Sequence, residues 1–198
     1  MDNNDLDKRV AFHNEIEKLK IIYRQNMVID GSRQENSAEH SWHIALMAIV
    51  FFEYSDDKKI DLLKVIKMLL IHDIVEIDTG DTFLYDTEAN KTKTDNEMST
   101  ANRVFGLLPE NTKNDFLNLW QEFEKRITPE AKFAASLDGL QPILNHLASK
   151  GKGIKNHHIK VSQMIEKKKY IGDASKTLWD FARKTIQKCL DMGYILKD

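Results

Sequence analysis

Between Lys64 and Asp81 the chain reads KVIKMLLIHDIVEIDTGD, where a strongly apolar helical pattern meets acids and a histidine at the positions that should be most buried. Leu62, Val65, Ile66 and Leu69 follow the i, i+3, i+4, i+7 spacing of one inward helix face. Continued at that spacing, the same face carries His72, Asp73 and Glu76. Two carboxylates and an imidazole buried without partners are costly or are forced to neutralise. A divalent cation would compensate them, since imidazole and carboxylate suit borderline to hard metals and no thiol is nearby. The alternative is a helix that ends in a solvated acidic turn at Asp78, Thr79, Gly80 and Asp81, and only further ligands elsewhere in the chain can decide.

The rest of the composition limits the setting for such a site. The chain has 198 residues, 41% of them hydrophobic, with three prolines and eight glycines, which favours one helical domain over residues 1–198 rather than a disordered chain. Lys and Arg total 29 against 31 Asp and Glu, and a net charge of -2 gives no global attraction for polyanions, so no nucleic acid partner is expected. The single cysteine, Cys189, cannot form an internal disulfide, and the polar N-terminus lacks an apolar signal region. Both point to a cytoplasmic protein. The longest apolar run, Ile44 to Phe52, is too short to span a bilayer, so no membrane association is expected.

Further candidate ligands emerge in chain order. A first amphipathic helix is expected from about Leu6 to Tyr23, with Arg24 just past its stripe, and Asn26 to Glu35 reads as a connector around Asp30, Gly31 and Ser32. Asn36 with Glu39 has the form of a capping box and predicts a helix to about Tyr54, in which His40, Ile44, Met47 and Phe51 share one face. His40 there either satisfies its nitrogens locally or serves as a ligand. His43, one turn on, reads as a packing or supporting histidine. Asp86 to Glu97 lacks a sustained apolar pattern and reads as a mobile loop beside the site. Helical patterning resumes from Asn102, breaks around Pro109, and continues through Phe116, Leu119, Trp120 and Phe123, which read as core.

Thr128-Pro129 signals another helix start. Its inward stripe of Ala134, Leu137, Gln141, Leu144 and Ala148 also carries Asp138, and Pro142 cannot donate to the Asp138 carbonyl, which predicts a kink beside that acid. Asp138 is thus either a locally satisfied carboxylate or a second buried acid of the site. Ser149 to Lys160 reads as a basic loop with His157 and His158 solvated. Asp173 precedes a last amphipathic helix with Leu178, Trp179, Phe181, Ala182, Ile186 and Leu190, and Gly193 as its stop. No P-loop, GxGxxG, CxxC or internal repeat is present.

His40, the His72-Asp73 pair and Asp138 form an ordered H…HD…D set, each member on an apolar stripe. With LKIIYR (19 to 24), RQENSAEHSWH (33 to 43), LIHDIVEIDTGD (70 to 81) and SLDGLQP (136 to 142), the chain resembles the HD-domain metal-dependent phosphohydrolase superfamily, and within it the 5'-deoxynucleotidase-like branch. The resemblance spans residues 19–142. It implies an all-α helical bundle; roughly the last 50 residues match only as helices, and a single domain is expected with C-terminal helices over 155–195 packed on the core. It implies one divalent transition metal held by His40, His72, Asp73 and Asp138, Arg24 on the substrate phosphate, and Glu76 and Asp81 orienting or deprotonating the attacking water. It also implies a homodimer and a small nucleotide substrate, a nucleoside 5'-monophosphate first. A nucleoside triphosphate or signalling nucleotide, or a non-catalytic regulatory module, are the alternatives. One position departs from the branch: a tryptophan associated with sugar discrimination follows the arginine there, and this chain has the sugar-proximal Gln25 instead.

The residue types support the chemistry by themselves. A bound metal lowers the pKa of water from 15.7 towards about 7 and neutralises charge on phosphoryl oxygens. Glu76, one helical turn from His72, is placed to accept a proton without being a ligand. Arg24 offers a planar fork suited to a phosphate.

Overall fold

The computed structural model describes residues 3–86 and 89–198. Among the described residues the regular structure is helical apart from one small hairpin and an isolated bridge between Lys160 and Leu196. Helix α1 (Asn3–Ile16) runs into a 3-10 turn (Glu17–Ile21) and then into β1 (Tyr23–Met27), which pairs antiparallel with β2 (Gln34–Asn36). This corrects two expectations: the first helix stops at Ile16, and the connector contains a hairpin. Its turn is closed by Val28 N–H to Arg33 O at 3.0 Å and Gly31 N–H to Val28 O at 2.8 Å, with Gly31 at φ +66°. Five residues, YRQNM, are too few for a period-2 pattern to stand out from the end of a helical one. Arg24 and Gln25 are therefore strand residues.

Helix α2 (Ser37–Phe51) starts at the expected capping box. Asn36 Oδ1 accepts from the Glu39 N–H at 2.9 Å, and the Glu39 carboxylate accepts from the Asn36 N–H. Helix α3 (Leu62–Ile71) is capped by Asp61, whose carboxylate accepts from the N–H groups of Leu63 and Lys64. The α-helix does not continue through the central motif. His72–Val75 tightens into a 3-10 turn, followed by the short α4 (Glu76–Thr79) and Gly80 at φ +72°. All four residues of the turn are buried. Ile74 and Val75 join a small core with Phe12, Leu19, Val104, Phe105 and Trp120, while His72 approaches Asp138 and Asp73 bonds Arg24.

Helix α5 (Ala89–Phe105) replaces most of the expected loop, whose residues 87 and 88 lie outside the described residues. The segment ANKTKTD has no apolar stripe of its own; the helix is held by its other end, where Ala101, Val104 and Phe105 are fully buried. Helices α6 (Glu110–Lys125) and α7 (Pro129–Ala148) begin as expected, α7 with Thr128 Oγ1 accepting from the Ala131 N–H and with Pro142 inside it. The chain closes with α8 (Val161–Lys168), a 3-10 turn (Lys169–Asp173) and α9 (Lys176–Asp191), whose N-cap is Ser175. The larger core lies between α2, α3, α7 and α9, around Ile44, Met68, Leu69, Leu137, Leu140 and Ile186. Among the described residues no helix is long and apolar enough to cross a membrane.

Candidate metal centre

The sequence-predicted residues converge where α2, the His72–Val75 turn and α7 meet β1. His40, in the first turn of α2, is fully buried. Its Nδ1 lies 3.2 Å from Gln141 Oε1, and the Gln141 amide N–H in turn donates to Glu35 Oε1 at 2.7 Å. An amide oxygen only accepts, so Nδ1 carries the hydrogen and Nε2 faces Asp138 Oδ1 at 3.0 Å. His72 repeats this arrangement. Its Nδ1 donates to the Leu69 carbonyl at 2.9 Å, and its Nε2 lies 2.9 Å from Asp73 Oδ1 and 3.8 Å from Asp138 Oδ1. Each ring is oriented by an outward Nδ1–H, as metal-binding histidines are.

His72 Nε2 is the informative atom. It is buried, faces two carboxylates and has no hydrogen-bond partner among the described residues. An imidazole lone pair directed at acids is repelled by them unless a proton or a cation lies between. His40, His72 and Asp73 each offer a ligand atom within 4.8 Å of one another, and Asp138 approaches both rings. These four residues could hold one divalent cation, and the donor set of two imidazoles and two carboxylates fits a borderline metal.

The acids and bases of the cluster shift one another. Burial works against a charged ring at His72, but Asp73 and Asp138 outweigh it and hold it up at about 10. Burial likewise opposes ionisation of Asp73 and Asp138. The His72 and Arg24 charges nevertheless keep Asp73 far below the carboxylate range, and the facing rings of His40 and His72 do so for Asp138. His40 moves the other way, lowered by burial and by Arg24. The cluster thus favours positive charge between its carboxylates, which a divalent ion would supply.

Glu76 stands next to this centre without entering it. Its Oε2 accepts from Ser37 Oγ at 2.7 Å, at the start of α2. Burial first, then the charges of Asp73 and Asp81, push its carboxyl up to about 8. Asp81, which follows Gly80, lies 3.4 Å from Arg24 Nη1. Arg24 spends that same nitrogen on Asp73 Oδ2 at 2.9 Å, while its buried Nε has no hydrogen-bond partner among the described residues. His43 stays outside the cluster, 3.4 Å from Gln141 Nε2.

A cleft of about 310 Å³ opens beside the centre, lined by Arg24, Asp73, Glu76, Asp81, Asp138 and a cationic wall of Arg126, Lys167 and Lys168. Gln25 lines a smaller adjoining cavity with Arg24, Phe83 and Tyr85, and also a groove with Met27, Lys150 and Lys155. The basic loop 149–160 is therefore part of the surroundings: Gly153 passes so close to Gln25 that a Cβ there would lie 2.6 Å from the Gln25 carbonyl oxygen. His157 is not simply solvated but stacks on Phe83 at 4.2 Å between ring centroids. Sequence reasoning missed Glu35, Ser37, Gln141 as a bonded residue, and the three cations. Glu35 and Ser37, within the RQENSAEHSWH motif, and Gln141, within SLDGLQP, carried a signal, and the three cations carried none.

A family model described as HD domain matches residues 16–179. The chain belongs to the HD domain family. Among relatives of this HD domain protein, the 5'-deoxynucleotidase HDDC2 of Xenopus laevis is 32% identical over 126 residues, which are 64% of this chain and 58% of that protein. The chain thus spans little more than half the length of that relative. A crystal structure described as a predicted metal-dependent phosphohydrolase from Magnetospirillum magnetotacticum MS-1 is 42% identical and superposes with a TM-score of 0.92, covering 97% of this chain and 96% of that one. An HD-domain phosphohydrolase from Listeria innocua shares the fold at 19% identity, with a TM-score of 0.62 over 94% of this chain and 83% of that one.

Proposed function

We propose that this HD domain protein is a metal-dependent phosphomonoesterase that hydrolyses nucleoside 5'-monophosphates to nucleoside and phosphate. The observation that carries the proposal is the pair of imidazole Nε2 atoms facing Asp73 and Asp138, with Glu76 held beside them by Ser37 and the cleft opening at the same point. The names of the Xenopus and Magnetospirillum relatives agree with it.

In this reading His40, His72, Asp73 and Asp138 hold the ion. When bound, the ion supplies Lewis acidity, making water more acidic and offsetting charge that develops on phosphoryl oxygens. Glu76 accepts the proton of the attacking water. Burial makes its ionised carboxylate a stronger base than an exposed one, and the Ser37 hydroxyl fixes which carboxylate oxygen stays free. Asp81 orients the same water from the turn after Gly80. Arg24 tethers Asp73 and Asp81 and presents the rest of its guanidinium to the substrate phosphate. Gln25, carrying a donor and an acceptor where a tryptophan would be a wall, sits nearest the sugar.

The same reading includes a cytoplasmic homodimer. The dimer draws support from α2, whose outer face exposes Trp42, Leu46, Ile49 and Val50 as one contiguous apolar stripe. A phosphate-release assay over ribo- and deoxyribonucleoside mono- and triphosphates, with added divalent metal and with chelator, tests the proposal. Release from monophosphates that chelator abolishes is expected. Release from triphosphates alone would move the assignment to a nucleoside triphosphate hydrolase, and release from none would leave a binding module.

A further inference from the structure

Lys168 ends α8 and is only 8% exposed. Its neighbours in the run EKKKY, Lys167 and Lys169, are exposed, as lysines at a helix end normally are. Lys169 pairs with Glu166, whereas Lys168 makes no hydrogen bond or ion pair among the described residues. A buried ammonium without a carboxylate partner is among the more costly groups a protein can carry. Lys168 lines both the 310 Å³ cleft and the smaller cavity that share Arg24, Asp81 and Pro142. The charges that act on it belong to that cleft: Asp138 and Asp81 favour its protonation, Arg24 and Arg126 oppose it, and burial dominates, bringing the ammonium down to about 8. It therefore remains mostly charged at neutral pH, at a cost to the free protein.

From this geometry we propose that Lys168, with Arg126 and Lys167 at the rim, is the principal receiver of the substrate's phosphate oxygens. The inference deepens the phosphomonoesterase reading and rests on it for the identity of the phosphate ester. Arg24 alone cannot fill the role well, because its Nη1 is already bound to Asp73 and Asp81. A phosphate entering between the ion site and α8 would give the Lys168 ammonium the anionic partner that the fold withholds. Arg126 is held for the purpose by a left-handed backbone (φ +51°) and by stacking 4.6 Å above the Tyr170 ring. Tyr170 in turn can lie against α7 only because residue 139 is glycine, where a Cβ would come within 2.6 Å of the phenol oxygen. The cationic wall is thus built into the packing of α7 against the turn after α8.

The test uses the metal-loaded protein, inorganic phosphate as the probe, and the variants Lys168→Met, Lys168→Gln and, as a control, Lys169→Met. Calorimetry should show phosphate affinity falling roughly ten- to a hundredfold in both Lys168 variants, the loss of one charge-assisted hydrogen bond, and unchanged in Lys169→Met. Thermal melts supply a readout that a purely structural lysine would not give. Without phosphate the Lys168→Met protein should melt higher than the parent, and the phosphate-induced rise in Tm should shrink. Unaltered phosphate affinity, or a lower Tm with an intact phosphate response, overturns the proposal even if the enzyme hydrolyses nucleotides. Conversely, phosphate binding that depends on Lys168 in a protein that releases phosphate from no nucleotide retains this inference and removes the phosphomonoesterase reading.

Discussion

Glu76 and His72 are neighbours on one short stretch, yet the structure gives them separable duties. His72 directs its Nε2 at two carboxylates, whereas Glu76 is turned aside to the Ser37 hydroxyl. Glu76→Gln keeps the shape and the Ser37 contact but cannot take a proton. Turnover should fall roughly 10²–10⁴-fold with metal content unchanged, while His72→Ala should lose metal and activity together. Elemental analysis beside single-substrate kinetics separates the two; Glu76→Gln at full activity would shift the proton to Asp81. Gln25 governs a different quantity. With an amide in place of an indole wall, the parent should discriminate weakly between AMP and dAMP, and Gln25→Trp should raise the dAMP/AMP ratio of kcat/KM. A strong deoxy preference unaltered by the substitution would mean that the sugar is read elsewhere.

At the scale of elements, the break between α3 and α4 is what makes the site. A continuous α-helix would carry Asp81 away along its axis. Instead the 3-10 turn buries four consecutive residues, apolar Ile74 and Val75 into one core and His72 and Asp73 against Asp138 and Arg24. Gly80 then reverses the chain at φ +72°, ψ 166°, a conformation that residues with a Cβ rarely adopt. A Cβ at Gly80 would meet no atom within 4 Å, so Gly80→Ala isolates the backbone cost. The substitution should destabilise by about 1–3 kcal/mol and lower turnover by displacing Asp81, without loss of metal. Urea melts and metal analysis check it, and a neutral result would mean that the turn adapts freely.

Two properties belong to the whole molecule. His146, buried on α7 beside the cavity, is held down at about 3 by burial, then by the charges of Lys168 and His157. An unfolded histidine titrates near 6.5, so between about 6.5 and 3 the unfolded chain holds a proton that the folded one lacks. Stability is therefore complete above that window and falls with pH inside it, by up to about 1.4 kcal/mol per pH unit from this group. His146→Gln should flatten the acid limb of a stability profile measured by urea melts at pH 7, 6, 5 and 4; an unchanged slope would assign the limb to other groups. The exposed stripe of α2, with Trp42 at 63% exposure, sets the second property. Sedimentation should find a dimer that Leu46→Glu converts to monomer, and a monomeric parent would overturn the assembly.

What the sequence determined by itself is local. Helical periodicity depends on residues three and four apart, so it put His40, His72, Asp73 and Asp138 on inward faces, and the caps at Asn36 and Thr128 marked where helices begin. It did not reveal the 3-10 tightening at His72–Val75, because the same stripe suits either geometry until neighbouring helices choose. Nor did it reveal the hairpin that carries Arg24, or α5, whose apolar anchors Ala101, Val104 and Phe105 all lie in its last turns. Lys168 is the clearest case. In the run EKKKY it looks like its solvated neighbours, and only the packing of α8 and the Lys169–Asp173 turn over α7 puts its ammonium into the cleft. Burial of a charge is decided by what the rest of the chain lays over it, and that is a property of tertiary contacts alone.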